Sequence, residues 1–237
     1  MAFIFVTGAS SGLGRDTAAE LIEQGHDVVV HGRRPERFAA DHRRWTGTVT
    51  GDLSEMDAVH EVARQANEFG RFDAVVHNAG ALHPPEAIPV NVIAPYVLTA
   101  LMLKPARLIY LSSGMHRGGS ADLARLASLR ASYSDTKLWV TALSQAVAFR
   151  WADTVSHSVD PGWVPTRMGG SAAPDDRTKG RRTQVWLATA PEVVPASGGY
   201  WHHLRTERPH ASASDPDFQR RLIEELTRTS GISLDAQ

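Results

Sequence analysis

The chain has no cysteine among its 237 residues. Disulfides, thiolate metal ligands and a cysteine nucleophile are thereby excluded. Net charge is also nearly absent, −1 at pH 7 from 25 Lys and Arg against 26 Asp and Glu. A nucleic acid or other polyanion therefore has no electrostatic footprint to bind. Arginines do pair at Arg33-Arg34, Arg43-Arg44 and Arg181-Arg182, but acids elsewhere balance them. No apolar run approaches the ~20 residues needed to cross a bilayer, so membrane insertion is not expected. The apolar run Ala2-Phe3-Ile4-Phe5-Val6 starts almost at once and leaves no room for a signal or transit peptide. The expectation is a soluble, cytoplasmic protein. Repeats, low-complexity tracts and linkers are missing as well, and 42% hydrophobic content suffices for a sizeable core. Residues 1–237 therefore read as a single domain.

What is present alternates between two patterns. Strand-like runs occupy 3–6, 27–31, 46–50, 74–77, 107–111 and 154–159, with a last one around 200–202. Helical patterns occupy 12–24, 35–42, 55–68, 87–103, 132–151 and 217–229. This alternation predicts an α/β protein with a parallel sheet of about seven strands and helices on both faces. Residues 167–182 differ in texture: Gly-Gly-Ser-Ala-Ala-Pro-Asp-Asp, then a basic run. They read as a mobile substrate loop on the side where open α/β sheets bind ligands. Both a lid and a solvated loop fit that composition.

The first strand runs into Thr7-Gly8-Ala9-Ser10-Ser11-Gly12-Leu13-Gly14 and then a helix. Strand, glycine-rich turn, helix is the context in which such a motif binds phosphate. Gly8 takes the tight turn, Gly12 lets the backbone approach a pyrophosphate, and Gly14 permits close packing of helix and strand. The helix N-terminus then presents N–H groups and partial positive charge to the anion. The reading is a Rossmann-type, doubly wound dinucleotide site.

A second pattern is Tyr133-Ser134-Asp135-Thr136-Lys137, which sets a phenol four residues before an ammonium. Residues i and i+4 share a helix face. Lys137 is therefore expected beside the Tyr133 hydroxyl, lowering its pKa from about 10 and fitting it to move a proton.

Together these motifs resemble the short-chain dehydrogenase/reductase family, over nearly the whole length. Its Thr-Gly-x-x-x-Gly-x-Gly is Thr7 to Gly14, and its Asn-Ala-Gly is Asn78-Ala79-Gly80. Its Ser-Ser is Ser112-Ser113, its Tyr-x-x-x-Lys is Tyr133 and Lys137, and its Pro-Gly is Pro161-Gly162. The resemblance implies a catalytic set of Asn91, Ser113, Tyr133 and Lys137. Ser113, favoured over Ser112, would hold a substrate carbonyl near Tyr133. Tyr133 would give up its proton during hydride transfer. Lys137 would stabilise the phenolate and grip the nicotinamide ribose. Asn91 would anchor a relay water, the alternative being that its amide satisfies local backbone. The implied cofactor-binding set adds Gly8, Ser10, Ser11, Gly12, Leu13, Gly14, Asp52, Leu53, Asn78, Ala79, Gly80, Pro161, Gly162, Val164 and Thr166. Thr166 is placed by the resemblance to bond the carboxamide, and Asp52 could accept from the adenine amine.

Two spacings depart from the pattern. The connection from Gly80 to Asn91 is short, and the one from Ser113 to Tyr133 is long, with a helix-like piece Leu123-Ala124-Arg125-Leu126. The longer form resembles the retinol-dehydrogenase-like branch, as does Ser197-Gly198-Gly199-Tyr200. This insertion is expected to wall the substrate pocket. Trp163 fits either the pocket or the core.

The second strand ends in Gly32-Arg33-Arg34 without an acid. An arginine there accommodates a 2′-phosphate, with Gly32 leaving space, so NADPH/NADP+ is expected ahead of NADH. No metal is expected: His202 and His203, adjacent in a strand, should point to opposite faces. The expected activity is NADPH-dependent interconversion of a ketone or aldehyde and an alcohol. A non-catalytic NADP-binding regulator on the same fold is the alternative, and a nucleotide-sugar enzyme is opposed by the glycine spacing. The oligomeric state is left open by the residues; the resemblance implies a homodimer or homotetramer pairing through the helix of Tyr133, where Trp139 and Trp151 would suit burial.

Overall fold

The computed structural model describes residues 1–41 and 44–234. The last residue of the expected helix at 35–42 and Arg43 lie outside the described residues. One eight-stranded sheet carries the order β3-β2-β1-β4-β5-β6-β7-β8. Its strands are β1 (Phe3–Val6), β2 (Asp27–Gly32), β3 (Gly47–Thr50), β4 (Ala74–His77), β5 (Arg107–Leu111), β6 (Val155–Asp160), β7 (Tyr200–His202) and β8 (Arg205–Glu207). Pairings from β3 through β7 are parallel and β7–β8 is antiparallel. Strand order reverses between β1 and β4, which opens a crevice at the carboxyl ends.

The central strands are apolar on both faces because both are covered by helices. Ile4, Val6, Val28, Val30 and Val76 pack with Leu21 and Val185 under α1 (Gly12–Glu23) and α6 (Arg177–Thr189). Phe5, Val29, Val75 and Tyr110 face the other way, toward α2 (Met56–Glu68), α3 (Ala94–Leu101) and α5 (Tyr133–Arg150). A short α4 spans Ala124–Ala127, inside the long connection from Ser113 to Tyr133. α7 (Pro216–Ser230) buries Phe218, Leu222, Ile223 and Leu226, a helical stripe, in the same core as α5.

Several expectations are corrected. The eighth strand, Arg205–Glu207, is wholly exposed and polar, so it carries no apolar alternation. It is joined to β7 through His203 and Leu204, both left-handed at φ 45 and 67. That is the backbone of a tight hairpin turn, reached without the glycine or asparagine that normally signals it. The basic half of the supposed loop is helix: α6 starts at Arg177, with Asp176 capping the Lys179 N–H. Arg177 bonds Asp16 at 2.6 and 2.9 Å, and Arg181 bonds Glu20, so this segment is tied to α1. The helix expected at 87–103 is present from 87 to 101, with a π segment, Pro89–Ile93, set into it before α3. Trp139 (0% exposed) and Trp151 (7%) lie in this chain's own core and leave nothing for a partner to cover. None of the described helices is long and apolar enough to cross a membrane.

Candidate active site

At the glycine loop the backbone does the work. Gly8 is left-handed, and a Cβ there would lie 2.8 Å from the Ala79 Cα. At Gly14 a Cβ would lie 2.2 Å from the Asn78 side-chain nitrogen and 2.6 Å from the Gly8 carbonyl oxygen. Any side chain at either position would push the loop off the Asn78-Ala79-Gly80 segment. That segment is tied back by Thr7, whose Oγ1 accepts from the Asn78 and Ala79 N–H groups at 3.0 and 3.1 Å. Asn78 donates to the Thr7 carbonyl at 2.9 Å. Ser11 starts α1 in extended backbone without a side-chain capping bond. The first-turn N–H groups are therefore not spent on a cap and suit an anion.

His31 braces this loop and was invisible as a site residue. Its Nε2 donates to the Gly51 carbonyl at 3.0 Å and its Nδ1 accepts from Gly8 N–H at 3.2 Å. Burial holds its pKa down to about 4, so the ring stays neutral in that role. A histidine at the end of an otherwise apolar buried strand was the available signal.

Arg33 sits at the carboxyl end of β2, 3.6 Å from Asp52 and 3.7 Å from Glu86. All three are substantially exposed, so these pairs are weak and open easily. Asp52 is partly buried, which raises its pKa, but bonds from Ser54 and Arg33 outweigh that and hold it below the usual range. The expected space at Gly32 is not there: a Cβ would meet the Phe38 ring at 2.8 Å and the Ser10 Cβ at 3.0 Å. Gly32 makes room for Phe38 instead. Leu53 is buried in the core beside Val59 and Val62.

The loop after β6 reaches the glycine loop from the other side. A Cβ on Gly12 would stand 3.6 Å from the Thr166 Cβ, so Thr166 borders the same crevice. Val164 is buried under Gly180, and Gly162 is left-handed. Trp163 is 57% exposed, with its indole N–H on the Gly169 carbonyl, which removes the core reading. Met115 and Met168 are likewise exposed apolar side chains, on the connections that follow β5 and β6.

Tyr133 and Lys137 open α5, where Ser132 and Asp135 form a reciprocal capping box. Ser113 lies near enough to Tyr133 to lower its pKa, and its Oγ accepts from Met115 N–H at 3.2 Å. Ser112 is buried instead on Thr141 at 2.6 Å, so the second serine is the one at the tyrosine. Lys137 is buried and donates to the Leu111 carbonyl at 2.7 Å, with its Nζ 5.5 Å from the centre of the Tyr133 ring. It thus lies over the ring. The expected lowering of the Tyr133 pKa is not what these surroundings produce. Burial pushes the phenol up to about 12, the neighbouring Ser113 hydroxyl pulls it down and the Asp160 carboxylate adds to the rise. Burial also lowers Lys137 to about 8, against the opposing pull of Asp160. Desolvation penalises both charged forms, and it is the largest cause of each shift.

Asn91, in the π-turn, is 1% exposed. Its Oδ1 accepts from Ala81 N–H at 2.8 Å, and its Nδ2 donates to the Ala81 carbonyl at 2.8 Å and to Thr136 at 3.0 Å. Both amide hydrogens are used, and one lone pair of Oδ1 is taken by Ala81. It fastens the Gly80-Ala81 segment to α5, the backbone bonding that the sequence offered as one reading of this residue. His202 and His203 do not diverge either. Their rings stack at 3.9 Å, because His203 has left the strand for the turn.

Residues 2–177 match the short chain dehydrogenase family. An oxidoreductase of Emericella nidulans, AN7799, is 35% identical over 99% of both chains. Human retinol dehydrogenase 13 is 25% identical, over 97% of this chain and 84% of its own. The structure of a short chain dehydrogenase of Escherichia coli complexed with NADPH superposes with a TM-score of 0.68 at 24% identity, over 86% of this chain and 97% of that one. With the glycine loop, the paired serines and the tyrosine–lysine turn meeting at one crevice, the chain belongs to the short-chain dehydrogenase family of oxidoreductases and has retinol dehydrogenase 13 among its relatives.

Proposed function

We propose that the protein is an NADPH-dependent carbonyl reductase or secondary-alcohol dehydrogenase acting on a small apolar molecule. The observation that carries this reading is the Tyr133 ring with the buried Lys137 ammonium 5.5 Å from its centre, at the start of α5, next to Ser113 at the carboxyl end of β5. A bound nicotinamide supplies the two electrons and one hydrogen that turn a carbonyl carbon into a carbinol. The chain's residues do the rest. Ser113 donates to the carbonyl oxygen and holds it at the Tyr133 hydroxyl. Tyr133 delivers its proton to that oxygen as negative charge develops there. Lys137 stabilises the phenolate left behind and is placed to hold a ribose hydroxyl.

Gly8, Gly12, Leu13 and Gly14 with Ser10 and Ser11 cradle the pyrophosphate. Asp52, Leu53 and Asn78-Ala79-Gly80 border the adenosine side, and Pro161, Gly162, Val164 and Thr166 border the nicotinamide. Arg33 selects NADPH by a bidentate bond to the 2′-phosphate, which displaces its weak pairs with Asp52 and Glu86. The Escherichia coli structure complexed with NADPH supports this choice of cofactor. Met115, Trp163 and Met168 offer exposed apolar surface for the substrate. The test is a screen of ketones and aldehydes with NADPH against the native chain and Tyr133→Phe. Native turnover with none in the variant is expected. Equal turnover by both overturns the assignment of Tyr133.

A further inference from the structure

His116 lies in the turn Gly114–Gly118, directly after Ser113, and is 0% exposed. Both of its ring nitrogens are engaged. Nδ1 stands 2.7 Å from the Ser113 carbonyl oxygen, and Nε2 stands 3.0 Å from the backbone nitrogen of His210, in the segment that follows β8. A carbonyl can only accept and a backbone N–H can only donate. Nδ1 must therefore carry the ring hydrogen and Nε2 must be bare, which selects one neutral tautomer. A charged ring would set two hydrogens against each other at His210. The Tyr200 ring of β7 packs on the imidazole with centres 4.5 Å apart.

This ring grips the serine by its backbone. The Ser113 carbonyl also accepts the His116 backbone N–H at 3.0 Å, so one residue donates to it twice. That fixes the peptide plane leaving Ser113 and the turn built on it. Within the turn, Ser113 Oγ accepts from Met115 N–H at 3.2 Å. A hydroxyl has one hydrogen and two lone pairs. With a lone pair committed to the turn, the hydrogen is left to donate to a substrate carbonyl.

The turn is also held from outside. Arg117 donates to the Arg208 carbonyl at 2.8 Å and to Glu207 at 2.7 Å, an exposed pair that is weak by itself. His116 is the buried link between the strand end bearing Ser113 and the segment after β8. Arg117 and His210 disfavour a charge on its ring, while the Asp160 carboxylate, at the end of β6 and facing Gly114, favours one. Burial is the largest influence and lowers its pKa. On β7, the Tyr200 hydroxyl is raised by burial and stays neutral. α5 meets the turn at Gly119 through Ser134 and Leu138, which do not titrate.

We propose that His116 is the positioning residue of Ser113: its Nδ1–H holds the serine's carbonyl, and the His210 N–H holds the ring in that tautomer. This deepens the reading above and rests on Ser113 as the group that binds the substrate carbonyl. Two substitutions divide the ring's bonds. His116→Asn sets an amide N–H where Nδ1 stood and gives up the acceptor for His210. His116→Gln sets an amide oxygen where Nε2 stood and gives up the donor to Ser113. Each loses one bond, so a role confined to stability would make the two alike. His116→Gln should lower kcat about 10- to 100-fold with NADPH affinity unchanged, and His116→Asn should recover most of the native rate. In a Ser113→Ala background, His116→Gln should lower kcat little further. Equal rates for the two variants, or a loss in that background as large as in the native chain, overturns the proposal. A check without turnover uses ¹⁵N NMR of the native chain at neutral pH, where the His116 ring should carry its hydrogen on Nδ1 and none on Nε2. A charged ring or the other tautomer overturns the proposal, whether or not the variants fold. Equal turnover by the native chain and Tyr133→Phe overturns the reading of function and leaves the His116 tautomer as it is.

Discussion

The two ends of the crevice are built from opposite materials. At the glycine loop, the groups offered to a ligand are backbone N–H donors, and side chains matter mainly by being absent. A Cβ on Gly14 would overlap Asn78, and Ser11 leaves the start of α1 without a side-chain cap. At the tyrosine end, the working groups are desolvated side chains whose charge states are set by burial. Lys137 is pulled down to about 8 and Tyr133 pushed up to about 12. The lesson is one of robustness. Backbone dipoles act at any pH and need only the right turn. Buried ionisable groups act over a pH window and depend on every neighbouring charge.

The sharpest way to break this comparison is Tyr133→Phe. It removes one hydroxyl from the side-chain end and should leave the backbone end intact. Reduction should fall about 10²–10⁴-fold, with NADPH affinity by calorimetry changed little. Loss of affinity equal to the loss of rate would erase the division between the ends.

Arg33→Ala tests the proposal that an arginine side chain chooses the cofactor at the otherwise backbone-built end. A charge-assisted contact contributes about 1.5–3 kcal/mol, so the NADPH preference over NADH should shrink roughly 10- to 100-fold. Native affinities already equal for the two cofactors would remove Arg33 from the site.

Gly14→Ala should strike the backbone end alone. Overpacking against Asn78 and the Gly8 carbonyl should cost about 1–3 kcal/mol of stability, measured by urea unfolding. Cofactor affinity should drop alongside, while the Lys137 titration stays put.

The smallest expected effect is on stability against pH. The folded Lys137 midpoint of about 8 lies below the unfolded value of about 10.4. Between them the unfolded chain binds more protons, so native stability rises with pH across that window. Lys137→Met lacks the titration. Its melting temperature relative to the native chain should be highest near pH 7.5, and that advantage should shrink by a few degrees toward pH 10. An offset constant across the range would show that burial does not tune Lys137.

Much of this was legible in the residues. The run Phe3-Ile4-Phe5-Val6, the glycine spacing and Tyr133 four before Lys137 give a parallel strand, a glycine turn into a helix and a tyrosine–lysine pair on one helix, because each is a local pattern with its own periodicity. They also place the chain in its family. The α6 helix escaped because its basic, glycine-containing start resembles loop, and it is held by Arg177 on Asp16 and Arg181 on Glu20, partners 161 residues away in sequence. β8 escaped because it is polar, exposed and turned by two residues that do not advertise a turn.

Tertiary structure alone decided the chemistry's fine settings. Sequence spacing put an ammonium near a phenol and implied a lowered phenol pKa; only burial could reverse that sign, since desolvation depends on atoms brought from β5, β6 and the turn after Ser113. The same holds for Asn91, whose amide is consumed by Ala81 and Thr136, and for Gly32, whose space belongs to Phe38. A one-dimensional pattern fixes which groups share a helix face or a strand end. How far each stands from water, and which distant charge faces it, exists only once the chain has folded.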